Sequence, residues 1–233
     1  MSDTDDLQRR GALGVLVLAV PVVSILAVGG AWLLLLGFGA AGRPADGPLV
    51  RIAFEGCAEA EPVVRARVDW MGLPEVESTP IPGGFALMAR LPSDPATRAR
   101  VPATLARTGS FVVREGAEGE VVATEADLLD ATVVLGFLDA PKPQVQLTEA
   151  ASKRLAEVQM ADPEGFLTIL VDGREVRRLE NMPAVGTGVL MLDPGQLADR
   201  ELVDFAAETA LVLAHGPLPC PLAVADVAEV ARP

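Results

Sequence analysis

The chain has 233 residues, 50% of them hydrophobic, a mean hydropathy of +0.36 and a formal net charge of −13. The length allows one large domain or two small ones, at roughly 100–200 residues per domain. The charge repels phosphate backbones and anionic lipid surfaces, so nucleic acid is excluded as a partner and any membrane attachment has to be hydrophobic.

Residues 1–10 read as a short cytoplasmic tail. From Gly11 to Gly42 there is no charged side chain, and about 20 apolar residues suffice to cross a bilayer, so one transmembrane helix is predicted over 11–38. Pro21, Gly29 and Gly30 are tolerated in lipid, where backbone groups have no better partner than one another, and Trp32 suits the interface. Arg9 and Arg10 precede the run, and Arg43 and Arg51 are the nearby basic residues after it. That bias puts the N-terminus in the cytoplasm and the rest outside it, in a single-pass protein of the inner (cytoplasmic) membrane. A cleaved export signal is the alternative, but its apolar region runs to only about 7–15 residues.

Residues 39–48 (GAAGRPADGP) form a linker. LVRIAFEG (49–56) reads as a strand, and 59–72 as a helix with Val63, Val64, Val68 and Met71 at helical spacing and Gly72 as its stop. EVEST and GGFALMARLP are two strands about a Pro/Gly turn, 94–109 is a helix with Pro102 inside it, and SFVVREG (110–116) is a further strand. The order strand, helix, strand, strand, helix, strand predicts a split β-α-β unit of ferredoxin-like type.

The polar stretch EGAEGE marks a boundary. Beyond it, strands are predicted at 131–137, 143–147, 166–176 (two pieces about an Asp-Gly turn) and 186–192, with helices at 148–160 and 198–216. The fold class is α+β. LAVADVAEV (222–230) is a strand with no partner of its own in this second module.

Chemistry is sparse. The single histidine, His215, stands at a helix C-terminus, where dipole contact and capping explain it better than base catalysis, since neither a nucleophile nor an orienting partner is signalled. Gly186-Thr187-Gly188 lacks the third glycine of a dinucleotide fingerprint and the lysine of a phosphate loop. Asp127, Asp130, Asp139 and Asp172 fit turns and caps, and Met182 and Met191 fit a core. No catalytic, cofactor-binding or metal-ligating residue is assigned. Cys57 and Cys220, the two cysteines, are too far apart for a C-x-x-C motif; either two buried thiols or, outside the cytoplasm, a disulfide is open to them.

RVDWMGLPEVES, GGFALMARLPSDPATRAR, TEADLLDATV, FLTILVDGREV and ALVLAHGPLPCPLAV, in that order over most of residues 50–224, resemble the first periplasmic domain of the SecD and fused SecDF preprotein translocase subunits. Asp172-Gly173 after a strand and the run Gly216, Leu218, Pro219, Pro221, Leu222 carry the resemblance best. It implies a ferredoxin-like base (49–116 plus 221–231) with an inserted head (121–216). Gly216 would end the last head helix at positive φ, Pro219 and Pro221 would hold the return crossover extended, and strand 222–230 would pair with the base. A bridge from Cys57 to Cys220 would then tie both ends of the base together.

The family's members continue into further membrane helices, and Ser93 stands where a glycine is expected after Leu91-Pro92; a truncated or stand-alone relative is therefore expected. By resemblance the function is a non-enzymatic one, binding secreted polypeptides or Sec translocon components during protein export. The alternative is a stand-alone envelope scaffold that keeps the fold for an unrelated partner.

Overall fold

The computed structural model describes residues 46–136, 140–180, 187–195 and 197–230. The expected transmembrane segment 11–38 lies outside them, as do Asp139, Met182 and Gly186. Among the described residues no helix is long and apolar enough to cross a membrane.

The first lobe begins with β1 (Leu49–Glu55), whose alternate residues Val50, Ile52 and Phe54 are buried. A 3-10 turn at Ala58–Ala60 leads into α1 (Glu61–Trp70), which has a proline at its start and buries Val64, Arg67 and Val68. Gly72, at φ +65°, lets the chain leave that helix. β2 (Glu77–Ile81) and β3 (Gly84–Arg90) form a hairpin. In α2 (Pro95–Leu105) the Asp94 carboxylate accepts hydrogen bonds from the Thr97 amide (2.8 Å) and hydroxyl (2.6 Å). Pro102 is accommodated in the second half of that helix, buried on its inner face.

The first sheet has the order β11-β1-β3-β2, where β11 is Ala223–Glu229 near the end of the chain. Every neighbouring pair is antiparallel. β1 and β2 therefore run parallel to each other with β3 between them, and β3 and β11 likewise flank β1. Both crossovers thus skip a strand, and α1 belongs to one while α2 begins the other.

The second lobe contains two sheets. One has the order β5-β4-β8-β9, with β4 Phe111–Glu115, β5 Val121–Thr124, β8 Phe166–Val171 and β9 Arg174–Glu180. The other has the order β10-β7-β6, with β6 Leu128–Leu135, β7 Pro141–Leu147 and β10 Val189–Met191. α3 (Glu149–Ala161) is capped by Thr148, and α4 (Asp199–Ala214) closes the lobe.

Two features differ from the sequence expectation. Residues 110–116 do not supply the fourth strand of the first sheet: β4 pairs with β5 and β8, and β11 takes the place beside β1. Nor is EGAEGE a boundary. It is the turn of the β4–β5 hairpin, with the Gly119 amide donating to the Glu115 carbonyl at 2.9 Å. The change of sheet occurs earlier, at 106–110, because a strand's sheet is chosen by its non-local partner rather than by its own alternation.

The core is in two clusters that share α4. Val50, Ile52, Phe54, Val64, Leu87 and Leu105 fill the first, together with Ala207 and Leu211 of α4. Phe111, Val113, Val145, Leu155 and Ile169 fill the second, together with Val212 and Leu213. Residues 206, 207 and 209–213 are all buried. A helix apolar on nearly every side is one with packing partners on every side. Each fully buried Leu, Phe or Val contributes roughly 1.5–3 kcal/mol relative to exposure.

Candidate functional site

The chain passes between the lobes twice, at 106–110 on the way out and at 215–222 on the way back, and the two passages run together. The Leu218 amide donates to the Thr108 carbonyl at 2.7 Å. Gly216 has φ +75°, a conformation that ends α4 sharply and that a side chain would strain.

Arg67 knots this junction. It is fully buried. Its Nη1 donates to the carbonyls of Leu105 (3.0 Å) and Arg107 (2.6 Å), and its Nη2 to those of Gly216 (2.9 Å) and Val212 (3.5 Å). One guanidinium from the first lobe thus serves the carbonyl ends of α2 and α4 together, where helix dipoles favour a cation. Burial pushes its pKa down to about 10, with Asp172 opposing and Arg107 reinforcing the change, so the charge persists at neutral pH. Gly109 packs against this knot: a Cβ there would lie 2.8 Å from Arg67 Nη2 and 3.0 Å from the Gly216 and Val212 carbonyl oxygens.

His215 was expected to cap α4. Arg67 takes the carbonyls instead, and the imidazole lies beside Trp70, ring centroids 6.4 Å apart and edge to face. Burial first and the Arg67 guanidinium second hold the imidazole below its ordinary 6.5, with Asp69 opposing. A neutral ring gains nothing from the helix dipole, so the dipole reading is replaced by packing.

Asp172 grips the outward passage from the other side. It sits in the β8–β9 turn at φ +50°, followed by Gly173 at φ +75°. Its Oδ1 accepts from the amides of Gly109 (2.6 Å) and Ser110 (3.1 Å), and its Oδ2 from Arg107 Nε (2.8 Å). Charge-assisted hydrogen bonds of this kind are among the stronger ones.

The return passage is fastened at its far end. The sulfurs of Cys57, just after β1, and Cys220 are bonded, with Cα atoms 5.7 Å apart. Glu59 lies close by, and its carboxylate with the two sulfurs forms a group of donor atoms within 4.8 Å of one another. Because the sulfurs are spent on each other, that group presents no thiolates to a metal. Pro219 and Pro221 flank Cys220, and the chain bends at Pro219 and Cys220 before it leads into β11.

Between α2, α4 and the β8–β9 turn the lobes leave an open cleft of about 720 Å³. Its floor includes Ala106, Val176 and Phe205, and its rim carries Glu175, Glu201, Asp204 and Glu208 against Arg100, Arg107 and Arg174. Within its lining Arg100 pairs with both Asp204 and Glu208; Arg200 and Asp94, outside that lining, pair at 3.3 Å. The cleft thus combines a few apolar side chains with a lining rich in charges of both signs.

Of the residues singled out in the sequence, Asp172, Gly173, Gly216, Cys57, Cys220, Pro219 and Pro221 gather at or beside the junction, whereas Asp127 and Asp130 belong to the far part of the second lobe. Asp127 pairs with Arg154 at 2.7 Å. Arg67 was missed. Its signal was faint: it lies on the same helical stripe as Ala60, Val64 and Met71, where a solvated arginine has no place.

No protein-family model matches the chain. The SecDF protein translocase subunit of Thermus thermophilus is 30% identical over 112 residues, which is 48% of this chain and 15% of the subunit. A crystal structure of SecDF in its super-membrane-facing form superposes with a TM-score of 0.63 at 21% identity, covering 89% of this chain and 35% of that one. A second structure, from work on SecDF as a membrane component that enhances protein export, gives a TM-score of 0.60 at 22% identity over 77% of this chain and 100% of the other. The chain thus has a SecDF-like fold of mixed α+β type and, over part of its length, carries a SecD-like domain.

Proposed function

We propose that this is a membrane-anchored, extracytoplasmic, non-enzymatic protein that binds extended polypeptide segments in connection with protein export. The first lobe is then a ferredoxin-like base, the second a head inserted into it, and residues 11–38 the single span that holds both at the outer side of the inner membrane. The observation that carries this reading is the open cleft between lobes whose fold is that of SecDF, a protein associated by name with translocation. Partners are secreted polypeptides in transit or components of the Sec translocon.

Site-specific photo-cross-linking from Val176 or Phe205 in growing cells tests it. Adducts with secreted precursors or translocon subunits are expected, and they should fade when export is halted. A pattern of adducts free of both kinds of protein would end the reading.

A further inference from the structure

The first sheet has two edges, and the sequence treats them differently. At one, β2 is five residues long and contains Pro80, a residue that blunts an edge because it cannot donate to a neighbour. At the other, β11 is seven residues long, has no proline and is exposed at every position. Among the described residues no strand pairs with its outer side.

The register shows what that side offers. Phe54 pairs with Val224, Ile52 with Val227 and Val50 with Glu229. Paired residues share a face, so Val224 and Val227 extend the buried apolar face of β1 out to the edge. They remain 37% and 49% exposed. Pro95, Ala99 and Pro102 of α2 stand beside them, and together these residues line an open groove of about 530 Å³. On the opposite face, Ala223, Asp226 and Ala228 leave room beside small side chains around one carboxylate.

The hydrogen bonding is also set for addition. The Val230 amide donates to the Leu49 carbonyl. With that pair bonded, alternation along the ladder turns the amides and carbonyls of Val227 and Glu229 away from β1.

We infer that β11 is a strand-addition site for an extended segment of a separate polypeptide, with small apolar residues on its groove side and basic residues on its other side. Charge selects this occupant. On the side away from the groove Asp226 pairs with Arg51 at 3.8 Å, but its carboxylate is 59% exposed against 40% for the arginine, so it forms the outermost charge there. Glu229, opposite Val50, stands at the end of the groove side and pairs with Arg98 at 3.7 Å. A second copy of the strand is a poor occupant, because Ala223–Glu229 has two acidic residues and no basic one. The site shares only Ala103 of its lining with the cleft between the lobes and does not depend on the role proposed for that cleft.

The test uses the full chain in nanodiscs at low salt and two fluorescein-labelled hexapeptides, one alternating Lys with Val and one alternating Glu with Val. The Lys peptide is expected to bind at least about tenfold more tightly by anisotropy and to slow hydrogen exchange of the Val227 and Glu229 amides. Val227→Pro removes an outward donor while leaving pairing to β1 intact and should abolish binding. Asp226→Lys should invert the preference between the peptides, an outcome that decides the matter even if the proline variant fails to fold. Equal binding of the two peptides, protection away from β11, or dimers cross-linked through position 227 would each overturn the inference.

Discussion

Arg67 Nη2 lies 2.9 Å from the carbonyl oxygen of Gly216, so a side chain of the first helix closes the end of the last one, 149 residues away. This contact and its three companions place one cation at the point where both chain passages cross. Arg67→Met leaves buried carbonyls without donors and should cost about 3 kcal/mol or more. Arg67→Lys keeps the charge but loses the planar fork and should cost about 1–2 kcal/mol. Chemical denaturation midpoints measure both. Equal losses in the two variants would show that the planar fork matters and the retained charge contributes nothing, and an undiminished lysine variant would show that charge alone matters.

Gly109 and Gly83 separate strain from crowding. Both have positive φ, at +75° and +76°, but a Cβ at Gly109 would meet Arg67 and two carbonyl oxygens while one at Gly83 would meet nothing within 4 Å. Gly83→Ala should therefore cost about 1 kcal/mol and Gly109→Ala about 2–3 kcal/mol. Thermal melts of the two variants side by side give the difference.

The disulfide joins residues 163 positions apart. Reduction, or Cys220→Ser, should lower stability by about 2–4 kcal/mol through the freedom returned to the unfolded chain. Melting with and without reductant checks this, and Cys57→Ser with Cys220→Ser should match the reduced wild type.

His215 has its imidazole held below 6.5 in the fold, so the unfolded chain binds the proton more readily than the folded one. Stability should accordingly fall as pH drops through and below 6.5, and His215→Gln should flatten that part of the curve. The carboxylates held low lose their contribution later. In Asp127 burial acts upward, but the Arg154 hydrogen bond and the Thr124 amide outweigh it, so its contribution is lost only as pH falls below the usual carboxylate value of 3.8. A melting curve against pH with no break near 6.5 in the wild type would contradict the assignment.

Local signals were readable wherever a residue's role depends on its neighbours in sequence. Val50, Ile52 and Phe54 announce a strand with one buried face, Asp94 and Thr148 announce helix starts, and Gly216 announces a stop. Roles set by distant residues were not readable. Phe111–Glu115 alternates as well for one sheet as for another, and only its pairing with β8 decides. EGAEGE has the composition of a linker and the geometry of a hairpin turn. Arg67 looks like any arginine on an amphipathic helix until two helix ends converge on it.

α4 has a practical consequence for anyone dissecting this protein. Leu211 and Val212 are neighbours in the chain, yet they belong to different hydrophobic clusters. Scissors placed at the two passages would yield a second lobe with a greasy flank and a first lobe with holes where Ala207 and Leu211 had been. Neither fragment is a self-sufficient piece, and the intact chain should melt in one step rather than two.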